Sequence, residues 1–430
     1  MGGIITSLAT GVTLVRADEL SDLRQQVESQ RSQVENQYSE LIKVQNKLLE
    51  LEAAQEAQAV MVRKLESNRS PAISEKLSWL ENIKLFGDFR YRYEYNSWDD
   101  DAGNSRHRDR NFIRLRIGMK TKINDEFGFN LRLITGSDNP TGANQTLGDE
   151  TQKEFASRDI RLDHAYATYI PQWGEGLRVL AGKMPTPFYR PGSSQLIWDS
   201  DLSPEGVAIQ YSRNVSEAQS IFANFGYMLV EENKNGDFGI DLFGIQGGLK
   251  HAFDNSTLTY GTSYIDYIST AGHAALANGF KGNSNTGSGG TYLYDYSMVE
   301  IFGDYTTKLG NLPIELYGDY VVNTASDVQE DTGWLVGTIF GKAKAKAVGS
   351  SQFGYEYRDL GRDCVVGTFS DSDFIGGGTG GKGHKFNCKY QIAKNTQLSA
   401  TYCWAERIAG TDNEKDDDYN KLQLDFIVKF

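Results

Sequence analysis

Two hydrophobic periods divide this chain. Between Leu20 and Leu65 apolar residues return every three or four positions, and from Ile83 to the end they alternate with polar ones. With Leu20 at heptad position a, the a row reads Leu20, Val27, Val34, Leu41, Leu48, Gln55 and Val62. The d row reads Leu23, Gln30, Gln37, Val44, Leu51, Gln58 and Leu65. The period holds for over six heptads without Gly or Pro, the pattern of a coiled coil. So narrow a seam buries little on a globular surface and suits self-association, with the Gln residues setting register or a higher oligomer. The helix predicted over 18–66 spans on the order of 70 Å at about 1.5 Å per residue. A linker over 67–82 follows, with Pro71 as the helix stop.

Past Ile83 the period of two predicts strands. In the first, Leu85, Gly87, Phe89, Tyr91, Tyr93 and Tyr95 alternate with Phe86, Asp88, Arg90, Arg92 and Glu94. The second sets Ile113, Leu115, Ile117 and Met119 against Arg114, Arg116 and Lys120, and the third sets Phe127, Phe129, Leu131 and Leu133 against Asn130 and Arg132. Further strands are predicted near 159–170, 176–184, 205–212, 219–230, 240–251, 256–266, 295–307, 312–323, 332–341, 350–358, 382–391, 396–405 and 419–430, about sixteen in all. The face of 159–170 that carries Leu162 and Tyr166 also carries His164, which leaves that strand's facing ambiguous. The last strand, Lys421 to Phe430, puts Leu422, Leu424, Phe426, Val428 and Phe430 on one face and ends on an aromatic residue. Short connections such as FDNS, LGNLP and IAKN alternate with long ones at 137–158, 185–204, 267–294, 359–381 and 406–418. Segregated loop lengths and an even strand count predict a transmembrane β-barrel over 83–430, with short periplasmic turns and long outer loops. Both ends of that barrel then fall on the periplasmic side, and with them the coiled coil. The Gly-rich tracts at 279–290 and 376–383 read as flexible outer loops, since neither opens a helix after a strand.

Composition agrees. The 430 residues include 23 Tyr, 21 Phe and 45 Gly against 8 Pro. A mean hydropathy of −0.48 with no long apolar run excludes a helical membrane protein. Averaging over lipid-facing and water-facing halves of each strand would give such a value. The net charge of −13 argues against nucleic acid as a partner. Three cysteines, Cys364, Cys388 and Cys403, leave no complete disulfide framework. Five scattered His residues form no metal-binding spacing, so no metal or cofactor is expected. At the N-terminus, residues 3–15 are small and apolar, and Val15-Arg16-Ala17 offers a cleavage site, though no basic residue precedes the run. Residues 1–17 therefore read as a signal-like export segment.

One stretch is more specific. AGKMPTPFYRPG (181–192) followed by LIWDSDLSPEGVAIQYS (196–212) resembles the bacterial putative porin family, and 334–360 and 390–402 are similar to the same group. The resemblance covers 83–430. It implies an outer-membrane barrel of sixteen or so strands that passes small solutes by diffusion, commonly as a trimer. The bilayer of the outer membrane and small hydrophilic solutes are its implied partners.

The inward face of the first three strands gathers Arg90, Arg92, Arg114, Arg116, Lys120 and Arg132 as a basic wall. In general porins the third outer loop folds inward. Here that loop, 185–204, carries Asp199 and Asp201, with Glu205 at its end and Arg190 among them. Opposed acidic and basic walls would set up a transverse field that orders dipolar solutes. Asp199 and Asp201 could instead cap the loop backbone. Tyr93, Tyr95, Tyr211 and Trp404 are candidates for interfacial girdles. Phe430 is the candidate assembly signal. Three functions compete: a diffusion porin with a stalk for trimerisation or cell-wall spacing, a plugged barrel that tethers the envelope through peptidoglycan or a periplasmic partner, and an outer-membrane hydrolase. The last lacks a matched nucleophile and base, although His107, His273 and His384 lie in or near outer loops.

Overall fold

The computed structural model describes residues 17–67, 82–99, 104–151, 153–232, 239–277, 279–287, 290–407 and 417–430. The signal-like segment and the linker fall almost wholly outside the described residues. The chain forms two separate units, which divide after Ser78.

The first unit is one α-helix, α1, Ala17–Ser67. Its described seam residues stand in solvent on the single chain: Val27, Val34, Leu41, Val44, Leu48 and Leu51 all exceed half exposure. The side chains of Leu20, Leu23, Val62 and Leu65 lie outside the described residues.

The second unit is a closed antiparallel barrel. Its strands are β1 Ile83–Asp99, β2 Ser105–Lys122, β3 Phe127–Thr135, β4 Ile160–Tyr169, β5 Leu177–Lys183, β6 Glu205–Asn214, β7 Gln219–Glu231 and β8 Ile240–Ala252. They continue as β9 Thr257–Ile268, β10 Tyr296–Leu309, β11 Leu312–Asn323, β12 Thr332–Gly341, β13 Ser351–Leu360, β14 Gly381–Ala393, β15 Thr396–Arg407 and β16 Asp417–Lys429. Each pairs with its neighbour, and β16 returns to β1 from Asp88↔Lys429 to Trp98↔Tyr419. Closure leaves no strand edge unpaired, which a sheet in hydrocarbon requires. A two-residue strand, Gln145–Thr146, lies in the second long loop and bonds to β2. β1 starts and β16 ends at the short-turn end of the barrel.

The outside of the wall is apolar. On β16, Leu424 and Phe426 are 45% and 39% exposed while Lys421, Gln423 and Asp425 are buried inward. Soluble sheets bury the opposite face. Tyr95 and Trp404 face outward as expected, and Cys388 is exposed on the same face as Tyr390. His384 also faces outward, stacked on Trp404 with ring centroids 5.4 Å apart. The ambiguity of β4 is resolved by a β-bulge where Arg132 and Leu133 meet His164 and Leu162. The extra residue turns Leu162 outward, at 51% exposure, and lets His164 and Tyr166 both face in.

The interior departs from a simple water-filled tube. The third loop (184–204), the fifth (269–295) and the seventh (361–380) fold into the barrel and share one apolar core with the wall. Leu196, Trp198, Tyr292, Val365 and Phe374 from these loops meet Leu242, Ile265, Met298, Val321 and Leu335 from β8 to β12. Burying each Leu or Ile so contributes roughly 1.5–3 kcal/mol. The tract at 376–383 and the start of the tract at 279–290, around Lys281 and Gly282, are part of this packing, which corrects the reading of these stretches as flexible loops. Thr379 N–H donates to Lys281 O (2.9 Å), and a Cβ on Gly378 would lie 2.1 Å from that same oxygen. Only glycine allows the two backbones so close, and Gly378 holds φ at +103°.

Candidate functional site

Loops cover much of the inner face of β7 to β12, and the most densely charged part of the interior lies along β1–β3 and β13–β16. The inward face of β1 reads Asp88, Arg90, Arg92, Glu94 and Asn96, and all five are buried. Register sets Arg90 beside Arg114 and Asp88 beside Arg116 on β2, and Arg92 beside Asp425 on β16. Like charges directly opposite one another repel, so the carboxylates interleaved with them matter. Asp425 takes Arg92 in a two-pronged pair, Nε to Oδ1 at 2.6 Å and Nη2 to Oδ2 at 2.9 Å. Asp88 accepts from both Arg114 (2.8 Å) and Arg116 (2.7 Å). Glu94 pairs with Arg110, and Asp163 with Arg132.

The third loop reaches across this space. Gln246 on β8 brackets Tyr189, accepting from its N–H at 2.6 Å and donating to its carbonyl at 3.0 Å. Ser194 Oγ donates to Asp319 on β11 at 2.6 Å. The seventh loop then locks the third: Asp199 N–H donates to Phe369 O (2.8 Å), and Ser370 Oγ donates to Leu196 O (3.0 Å).

The predicted acidic residues divide. Asp199 is buried and accepts from the N–H groups of Asp201 (2.7 Å) and Ser372 (2.8 Å). It thus caps loop backbone, as the alternative reading had it. Burial, then Asp201 and Asp371, push its carboxyl up to about 7. Asp201 meets the basic wall directly, 3.6 Å from both Arg114 and Arg116, so the two are in contact and not set across a gap. Glu205 stands apart on the outward face of β6, 61% exposed at its side chain and paired with Lys183.

Two cavities follow one another along the wall. The larger, about 370 Å³, is lined by Arg90, Arg92 and Arg114 together with Asp199, Ser200, Asp201, Arg358, Lys385 and Lys389. The second, about 230 Å³, is lined by Lys120, Arg132, His164 and Arg190 and shares Asp199 and Ser200 with the first. Lys120 stands nearer the short-turn end of β2, so the basic side chains run lengthwise through both. Arg116 lines neither and is occupied by Asp88 and Asp201.

Sequence reasoning missed the seventh loop. Asp373 sits 3.3 Å from both Arg92 and Lys421 and accepts from Gln423 (2.7 Å). Asp371 joins Lys385 (2.7 Å) to Arg358 (3.0 Å). Burial would raise both carboxyls, yet the surrounding cations hold Asp371 below the ordinary carboxylate value and Asp373 well below it. The available signal was the inward parity of Arg358, Lys385 and Lys421, three cations in need of partners.

Among solved structures the chain is similar to OprB of Pseudomonas putida, at 12% identity and a TM-score of 0.52 over 84% of this chain and 96% of that one. It also matches the outer membrane channel DcaP of Acinetobacter baumannii at 14% identity, with a TM-score of 0.46 over 81% and 97% of the two chains. No curated protein matches it. The model of the family described as "Putative porin" matches residues 101–295 and 295–430, the barrel nearly throughout. The chain closes a sixteen-stranded barrel, apolar outside and charged within, and it belongs to this putative porin family.

Proposed function

We propose that the chain is a passive diffusion channel for small hydrophilic solutes and ions, with its route laid along β1–β3 and β13–β16. The observation that carries this is the pair of successive cavities along the charged wall beside the third loop. Water and ions follow the charged wall because its guanidinium, ammonium and carboxylate groups replace part of their hydration. The Arg and Lys residues of that wall set ion preference, and Asp201 tempers it. The exposed heptad seam of α1 suits a stalk that joins chains, as a trimer or as a periplasmic spacer reaching the cell wall. Phe430, whose N–H and carbonyl pair with Gly87 at 3.0 and 2.9 Å, serves as the terminal signal for assembly.

Planar-bilayer recording tests the reading. Stable conductance steps are expected, and silent insertion would favour an envelope-anchoring barrel without an open pore. Reversal potentials in a salt gradient should move toward cations in R114Q/R116Q. An unchanged ion preference would remove the basic wall from the mechanism.

A further inference from the structure

Six cations line the larger cavity, and four are already neutralised. Arg92 is held by Asp425 and Asp373, Arg114 by Asp88 and Asp201, and Arg358 and Lys385 by Asp371. Arg90 and Lys389 are left: neither has a carboxylate within ion-pairing distance among the described residues.

Arg90 is the more telling of the two. It is 8% exposed, its hydrogen-bond partner is Asn144 Oδ1 at 2.5 Å, and its Nε is buried without an acceptor. A guanidinium carries five donors, and burying it without a counter-charge costs several kcal/mol. Its strand-pair neighbour is another arginine, Arg114, so the wall adds to the positive potential instead of relieving it. The site therefore lacks one anion, in a cavity open enough to admit a solute.

We propose that Arg90, with Lys389 in the same cavity, is the docking point for the carboxylate of a small polyhydroxylated acid in transit. This rests on the diffusion-channel reading. The guanidinium fork matches a carboxylate's two oxygens. Neutral groups of the lining, Ser193, Gln195, Asn387 and Thr401, suit hydroxyls. The six cations of the lining face the carboxylates Asp199, Asp201, Glu356, Asp373 and Asp425, so about one positive charge is left over, which suits a monocarboxylate better than a doubly charged phosphate.

The test uses gluconate as the probe on the full chain in planar bilayers. Chloride current is recorded as gluconate is raised on one side, and the half-blocking concentration is read. R90Q should raise that concentration about tenfold, the loss of one charge-assisted pair. R90K should fall between R90Q and the native chain. K394Q, at an exposed short turn, should match the native chain. Glucose, with hydroxyls and no carboxylate, should block weakly and equally in all four. A rise of less than about threefold in R90Q, or glucose blocking the native channel as strongly as gluconate, overturns the proposal. If R90Q forms no channels, K389Q takes its place under the same threefold criterion. A native chain that never conducts refutes the diffusion reading itself and is told apart at once.

Discussion

Asp425 shows how a single residue holds this interior together. Its two oxygens meet the two nitrogens of Arg92, and both side chains are under 8% exposed. Removing one partner of such a pair leaves a buried charge, at a cost of about 3–5 kcal/mol. D425N should therefore lower the free energy of barrel unfolding by about 3 kcal/mol, with Asp373 limiting the loss. Denaturant titration in detergent, with L424A on the outward face as comparison, measures it. Asp199 gives a pH dependence of opposite character. Its carboxyl titrates near 7, above the ordinary value of 3.8, so the folded chain holds a proton that the unfolded chain releases. Stability from this group is complete below about pH 4 and is lost as pH rises toward 7. Asp201, Asp371 and Arg190 are the charged groups that act on it. Between pH 5 and 8 the reversal potential should shift toward cations as Asp199 ionises, and D199N should remove that shift.

Among the elements, strands were legible and loops were not. Alternation in β1 and β16 marks facing residue by residue, because lipid on one side and charge on the other leave no intermediate choice. β4 escaped for a local reason: one bulged residue reverses parity partway along, and Leu162, His164 and Tyr166 then share a spacing but not a face. The basic wall was readable from strand parity, but its partners were not. Asp371 and Asp373 come from a loop some 280 residues beyond Arg92 in the chain, and nothing local ties them to it. The Gly-rich tracts misled because glycine serves flexibility and close approach equally well in composition. Their packing gives the prediction at this scale. G378V adds atoms where a Cβ already falls 2.1 Å from Lys281 O, at a φ of +103° that a β-branched residue rarely adopts. The fifth and seventh loops should separate, and single-channel conductance should rise as the loop core loosens. Conductance equal to that of the native chain would mean that these loops do not limit the route.

For the whole molecule, the question is what the helix adds to a barrel that closes on itself. The wall needs no other chain to satisfy its backbone, since β16 pairs with β1. The helix is in the reverse position: its seam, from Val27 to Leu51, is more than half exposed at every described apolar a and d position. If the proposed stalk pairs this 51-residue helix with copies of itself, each Val or Leu of the seam that becomes fully buried contributes roughly 1.5–3 kcal/mol. Deleting residues 18–66 should therefore leave conductance per channel unchanged and lower the stability of the assembly. L41D, which places a charge in the seam, should do the same without shortening the chain. Sedimentation of detergent-solubilised protein checks both: native chains should sediment as a single oligomer, and the deletion should dissociate at lower detergent or higher temperature. If oligomer mass and stability are identical in all three, the seam is not what joins the chains, and the stalk reading fails.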